Sequence, residues 1–285
     1  MPEVAIGLPT YNRPEFLEAA LASLTRQTFG DFELLISDNA SPGAGVRTIA
    51  ERYASADPRI RYVRQQTNLG PVGNFAYVLA NTSAPLFMWA ADDDLWEPLF
   101  IERAVAALRA DRAKNAWFCQ LDNIDAEGKV TRTYPSLTRF RSNGDKRKEV
   151  RRFLMEPDRL GKVNLIYGMF RREALAEPMR LMTANKDMIG ADLVFVYAFI
   201  CRHDVAIDPD LLFHKRVVGR KSARPRAGAG STLLKSRHFT GFAAAAEGTP
   251  YAAMTRSLLP WRFVLDRADK IGNGVRRALF SRAHR

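Results

Sequence analysis

The sequence predicts an α/β fold: a mostly parallel central sheet flanked by helices on both faces. Three observations predict it. Short apolar runs of strand length alternate with helical patterns over residues 1–121, at the spacing of βα units. The runs Val4–Leu8 and Leu86–Ala90 are continuous rather than alternating, as in strands buried on both faces. Polar clusters follow three of the strands, at Pro9–Asn12, Asp38–Ser41 and Asp92–Asp94. In open α/β sheets ligands sit beyond the carboxyl ends of strands, so these clusters are expected to share one cleft.

Taken in order, Val4–Leu8 is the first strand. Pro9–Arg13 turns the chain, and Pro14 suits the first turn of a helix. Phe16, Leu17, Ala20, Leu21 and Leu24 then recur at helical spacing. Phe32–Ser37 is the second strand, and a helix follows to about Ala54. Ile60–Arg64 is the third strand, Asn68–Pro71 a turn, and 72–81 a helix. The central strand, 85–90, ends abruptly in Asp92, Asp93 and Asp94. A helix over 98–110 and a strand at Trp117–Leu121 close this half.

The second half is less regular. Residues 129–145 read as a hairpin or loop, Lys146–Met155 as a short basic helix and Val163–Phe170 as a strand. Asp192 opens a helix with Leu193, Phe195, Val196, Phe199 and Ile200 on its apolar side. Val205–Ile207 and Leu211–Val217 are strand candidates. Gly219–Ser231, rich in Gly, Ala, Arg and Ser, reads as a loop.

At 285 residues and 47% hydrophobic, the chain can bury a sizeable core. Cys119 and Cys201 lie far apart in apolar segments and read as buried free thiols. No signal peptide is visible, and no apolar run is long enough to span a bilayer. A cytoplasmic protein is expected. The net charge of +12 is segregated: residues 1–213 balance to −1 and residues 214–285 to +13. An excess of that kind points to an anionic partner for the C-terminal part.

Three adjacent carboxylates repel one another, so a positive group should sit among Asp92, Asp93 and Asp94. A divalent cation bridging carboxylate to phosphate meets that need. The plainer reading is a solvated acidic turn, with Asp94 helping to cap the next helix.

Four motifs, in this order and spacing, resemble the inverting family 2 glycosyltransferases of the GT-A (Rossmann-like) fold. They are Ile6-Gly7-Leu8-Pro9-Thr10-Tyr11-Asn12-Arg13, Gln27-Thr28-Phe29 leading to Phe32–Ser41, Asn68-Leu69-Gly70 with Asn74, and the acids before Leu95-Trp96-Glu97-Pro98. The resemblance covers about residues 3–218. It implies that Pro9, Thr10, Tyr11 and Arg13 line the nucleotide-sugar site, with Asp38 and Asn39 on the base or ribose. Many relatives have two acids where this chain has Asp38-Asn39. Asn68, Gly70 and Asn74 belong to the same site. Asp93 matches the acid that holds Mg²⁺ or Mn²⁺ against the diphosphate, with Asp94 beside it and Asp92 on the ribose or sharing the metal through water. The usual acid-x-acid pattern has Ala91 in its first position here.

The resemblance also places a general base near the start of a helix in the second half. Gly190–Phe195 matches, which makes Asp192 the candidate, with Asp187 in reserve; a helix N-cap is the alternative for Asp192. Relatives carry a cation on the diphosphate near the end of the domain. His214, Lys215 and Arg216 lie there, with His214 and Arg216 the candidates, and Arg220, Lys221 and Arg224 could fold over as a lid. The implied donor is a nucleoside-diphosphate sugar, a UDP-sugar first, and the acceptor a glycan or lipid-linked saccharide.

Domain boundaries are expected at 1–231, divided near 121 into nucleotide and acceptor halves, and at 232–285 for a basic helical C-terminal extension. On a helical wheel, Trp261, Val264, Leu265, Ala268, Ile271, Val275, Ala278 and Leu279 share one face. Arg256, Arg262, Arg267, Lys270, Arg276 and Arg277 share the other, with breaks expected at Pro260 and Gly272–Gly274. Such a helix suits an anionic membrane surface, such as the inner face of the plasma membrane. It could equally pack on the domain with its basic face solvated. Two other functions fit the sequence less well. A nucleotidyltransferase would want a Gly-rich phosphate loop where Pro9–Asn12 stands. Nucleic-acid binding, suggested by the charge, lacks aromatics interleaved with the basic residues, so no nucleic acid is expected.

Overall fold

The computed structural model describes residues 1–186, 190–218 and 240–282, with side chains up to Ala268. The strands are β1 (Val4–Thr10), β2 (Phe32–Asp38), β3 (Ile60–Arg64), β4 (Leu86–Trp89), β5 (Leu95–Trp96), β6 (Lys114–Ile124), β7 (Val130–Thr133), β8 (Met169–Arg171) and β9 (Asp204–Arg216). The helices are α1 (Pro14–Thr25), α2 (Gly45–Ala56), α3 (Gly70–Ala80), α4 (Phe100–Ala110), α5 (Lys146–Met155), α6 (Ala176–Ala184), α7 (Ala191–Arg202) and α8 (Ala252–Arg282).

One sheet runs in the order β3-β2-β1-β4-β8-β6-β9-β5, with β7 beside β6. β3, β2, β1 and β4 are parallel neighbours, β8 is antiparallel to β4 and β6, and β6 pairs β9 in parallel. The crossover that returns the chain from β3 to β4, next to β1, makes the ends of β1 and β4 the switch point where such sheets bind ligands. Gly7 lets α3 lie close on β1, since a Cβ there would come 2.5 Å from Val78.

An aromatic cluster ties the two halves together. Trp89, the last residue of β4, packs edge-on against Phe87 at 4.7 Å and against Phe195 of α7 at 5.4 Å. Phe170 of β8 touches both Trp89 and Phe195. The strand carrying the acids is thereby seated against the helix carrying Asp192.

The expected elements of the first 121 residues are present, and Lys146–Met155 is the predicted basic helix. Three departures have physical causes. Val163–Phe170 is a 3₁₀ helix over Lys162–Tyr167 followed by the short β8, because buried Lys162 turns back to donate to Phe153 O at 2.6 Å and Glu156 O at 2.5 Å. The two strand candidates after α7 are one strand, β9, which keeps pairing with β6 through register shifts. α8 runs through both Pro260 and Gly272–Gly274 as a single helix. Cys119 and Cys201 are buried and unpaired. The expected loop, the boundary near 231 and the tail side chains from Lys270 onward fall outside this description.

Of the basic residues of α8 with described side chains, Arg256 and Arg267 are exposed and Arg262 is turned into the fold. Arg262 is buried and donates to Leu154 O at 2.9 Å, to Glu156 O and to Asp158. A cation at the carboxyl end of α5 meets the negative end of that helix and its unpaired carbonyls.

Candidate active site

The loops after β1 and β2 are both bent into left-handed backbone at non-glycine residues, Asn12 with φ 53° and Ala40 with φ 61°. Such conformations persist only when surrounding contacts fix them. Here Asn12 N–H donates to Ser41 Oγ at 2.9 Å, which locks the two loops together. Thr10 Oγ1 donates to Asp92 Oδ2 at 2.7 Å, and Tyr11 N–H reaches the same oxygen at 3.4 Å. Arg13 Nη1 lies 2.6 Å from Asp93 Oδ2 and 3.4 Å from Asp92 Oδ1. The Thr10–Arg13 loop therefore bonds to the β2 loop on one side and to the acids on the other.

The positive groups among the three acids are side chains and a backbone amide. Arg13 serves Asp92 and Asp93. Lys215 Nζ lies 3.1 Å from Asp94 Oδ2, and Arg216 N–H donates to Asp94 Oδ1 at 2.8 Å. Burial and the charge of Asp93 push the Asp92 carboxyl up to about 6, against the pull of Thr10 and Arg13. Burial also raises Asp94, with Lys215 opposing, and the facing charge of Asp94 holds Lys215 above the ordinary ammonium range despite burial. Burial would lower the Arg13 guanidinium, but Asp93 and Asp92 outweigh it.

Asp38 is fully buried: Oδ1 accepts Ser41 N–H at 2.9 Å and Oδ2 accepts the Tyr62 hydroxyl at 3.1 Å. It forms the floor of the β2 loop. Asn39 accepts Leu69 N–H at 2.7 Å and donates to Asn68 Oδ1 at 2.9 Å and Gly70 O at 3.2 Å. The last two bonds need an amide, and an acid could not make them. That accounts for Asn39 where relatives carry a second acid, and it brings Asn39, Asn68 and Gly70 together. Asn74 is buried on Ser37, which donates to it at 2.6 Å, and fastens α3 to β2.

Asp192 stands one residue into α7, whose N-cap is Gly190 with φ 93°. Its Oδ1 accepts only the adjacent Leu193 N–H at 2.8 Å among the bonds described, so the N-cap position itself belongs to the glycine. Burial raises its carboxyl, with Lys215 opposing. Tyr167 lies beside Lys215. Burial lifts its hydroxyl to about 12, and the charges of Asp94, Asp93 and Asp192 all act on it. Lys215 Nζ lies 4.5 Å from its ring centroid.

Two residues expected on a diphosphate are placed otherwise. The His214 ring is held between Asp122 at 2.7 Å and Glu97 at 2.9 Å. Burial lowers its affinity for a proton, but those two carboxylates raise it more. The Arg216 guanidinium is spent on backbone, at Asp93 O (2.9 Å), Asp125 O (2.5 Å) and Ala126 O (2.7 Å). Strand alternation explains both: His214 and Arg216 point to the α1 side of β9, where Arg216 lies over Phe16, while Lys215 points to Tyr167. Tyr167 is the residue sequence reasoning missed, and Lys215 is named there only beside His214 and Arg216. The period of two along β9, once its register is known, is the signal that separates Lys215 from its neighbours. Asp187, Arg220, Lys221 and Arg224 lie outside the described residues.

The donor set bears on a cation. Among the described residues no group of three His, Cys, Asp or Glu side chains is arranged around a metal. Asp94 has both oxygens engaged within the fold, and Asp92 is held by Thr10, Tyr11 and Arg13. Asp93 remains, a carboxylate whose described side-chain partner is Arg13 alone. That set fits Mg²⁺ or Mn²⁺ in the manner of ions held by one or two carboxylates plus substrate phosphates, rather than by an all-protein cage.

Comparison with known proteins bears on the family and the fold. Chondroitin synthase of Escherichia coli is 30% identical over 132 residues, 46% of this chain and 19% of that protein. The GalNAc(5)-diNAcBac-PP-undecaprenol beta-1,3-glucosyltransferase of Campylobacter jejuni is 33% identical over 95 residues, 33% of this chain and 30% of that protein. The chain thus spans less than a third of the length of either relative. In fold, it superposes on S. aureus TarS 1-349, solved in complex with UDP, with a TM-score of 0.63 at 15% identity, over 90% of this chain and 69% of that one. It superposes on the mannosyltransferase PcManGT from Pyrobaculum calidifontis, solved with GDP-Man and Mn²⁺, with a TM-score of 0.56 at 16% identity, over 99% of this chain and 79% of that one. The fold is therefore the GT-A type. The sequence profile of Glycosyl transferase family 2 matches residues 5–177, and the chain belongs to that family.

Proposed function

We propose that the protein transfers a sugar from a nucleoside-diphosphate sugar, UDP-linked in the first instance, to a glycan or lipid-linked acceptor, with inversion at the anomeric carbon. The observation that carries this reading is the Thr10–Arg13 loop, which joins the end of β2 to Asp92 and Asp93 at the switch point of the sheet. Pro9, Thr10 and Tyr11 would line the base pocket, above a floor set by Asp38 and by the Asn39–Asn68–Gly70 network. Mn²⁺ or Mg²⁺, held by Asp93 and the diphosphate, would supply Lewis-acid neutralisation of the leaving group. A diphosphate attracts a guanidinium strongly. Arg13 would exchange Asp93 for the donor's phosphates and release that carboxylate. Lys215, on the Tyr167 side, adds positive charge near the same region.

Asp192 would take the proton of the acceptor hydroxyl. Its raised carboxyl suits a base. The cluster of Trp89, Phe170 and Phe195 sets its distance from the acids. An acceptor of this kind would be met at the inner face of a membrane. Replacement of Asp192 by Ala should leave nucleotide affinity within about twofold and lower transfer by about 10²–10⁴-fold, the usual contribution of such a base. Unchanged transfer, measured with radiolabelled UDP-sugars, would remove Asp192 from that role.

A further inference from the structure

α8 packs on the domain through Met254, Leu258, Leu259 and the buried pair Thr255 and Arg262, with Tyr251 just before it. Thr255 Oγ1 meets the Tyr197 hydroxyl of α7 at 2.7 Å. A second row on the same helix is left outside. Trp261, Val264 and Leu265 are 65%, 56% and 45% exposed, and Ala268 continues the row. Their spacing of i, i+3, i+4 and i+7 makes one apolar stripe, which borders the packed face and continues the line of Met254 and Leu258.

We infer that this stripe docks on the surface of a bilayer containing anionic lipid. Charge complementarity selects that occupant. Residues 252–285 hold eight Lys or Arg against two acids. Arg256 and Arg267 are exposed on α8 itself, and α5, packed beside it, exposes Arg147, Lys148 and Arg151. An apolar stripe that includes an exposed Trp, on a helix that also exposes cations, matches a helix lying in the headgroup plane. Among the described residues no helix is long and apolar enough to cross the membrane, so the contact is one of lying on the surface. The latch from Arg262 to Asp158 holds α8 on the domain. The bond between Thr255 and Tyr197 fastens α8 to α7, the helix that carries Asp192. The inference shares with the proposed function a lipid-linked acceptor, but its test needs no transfer.

The sequence makes that test clean. Of four tryptophans, Trp89, Trp96 and Trp117 are buried and Trp261 is exposed. Full-length protein is mixed with phosphatidylcholine vesicles, with and without phosphatidylglycerol, and followed by flotation and tryptophan fluorescence. The expected result is flotation with the anionic vesicles alone, a blue shift of the emission, and loss of both in high salt. Trp261→Glu with Leu265→Glu should weaken binding at least about tenfold, with an unchanged melting temperature because both positions are exposed. Trp261→Phe should keep flotation and lose the shift. Flotation of the double variant equal to wild type, or no flotation of wild type, would overturn the inference. So would a wild-type dimer in light scattering that the double variant converts to monomer, since the stripe would then belong to a second copy of the chain.

Discussion

At the scale of single residues, the acids are arranged by what neutralises them. Asp94 answers to Lys215 and the Arg216 amide, and Asp93 to Arg13. One carboxylate is thereby built into the fold, and the other is held by a side chain that can leave. Asn39 shows the same logic without charge. Changing Asn39 to Asp sets a carboxylate against Asn68 Oδ1 and Gly70 O, and should cost about 1–3 kcal/mol in urea unfolding, with weaker nucleotide binding. His214 gives a pH signature. Its folded value is raised above the ordinary one by Glu97 and Asp122, against burial. The stability it contributes is therefore full below the unfolded value and is lost as pH rises through the folded one. Melting temperature of the wild type should fall across that window, and His214→Gln should flatten the fall.

At the scale of elements, the distance between β4 and α7 is set by packing. Trp89 ends the strand and Phe195 stands one helical turn from Asp192, and the two rings meet edge-on. Phe195→Ala should cost about 3–5 kcal/mol, the usual range for a buried aromatic. It should also lower kcat while leaving nucleotide Kd nearly unchanged, because it loosens the base and not the donor pocket. A parallel loss of nucleotide affinity would mean that β4 itself moves. α8 is an element whose latch, Arg262, is buried although its residue type suggests solvent.

At the scale of the whole molecule, the first half was legible because its signals are local. A continuous apolar run ending in Asp92–Asp94 is a buried strand meeting a polar cleft, and Ile60–Arg64 was bounded by turn residues on both sides. The second half depends on partners far away in sequence. Val163–Phe170 is apolar enough for a strand, and only the burial of Lys162 on Phe153 O decides for a 3₁₀ helix. The helix Ala176–Ala184 has no counterpart in the sequence reading; it holds Pro178 in its first turn, where proline costs no hydrogen bond. His214 and Arg216 were preferred to Lys215 because nothing local reveals which way β9 faces. The role of Asn39 required knowing that residue 68 comes back to meet it.

The most direct test of the central claim, that Asp93 and the Thr10–Arg13 loop hold a nucleotide diphosphate through a divalent cation, is calorimetric titration of UDP into the full chain, with and without Mn²⁺. The account predicts binding that needs Mn²⁺, persists in Asp192→Ala and is lost in Asp93→Ala. Equal UDP affinity in wild type and Asp93→Ala, with Mn²⁺ present, would contradict it.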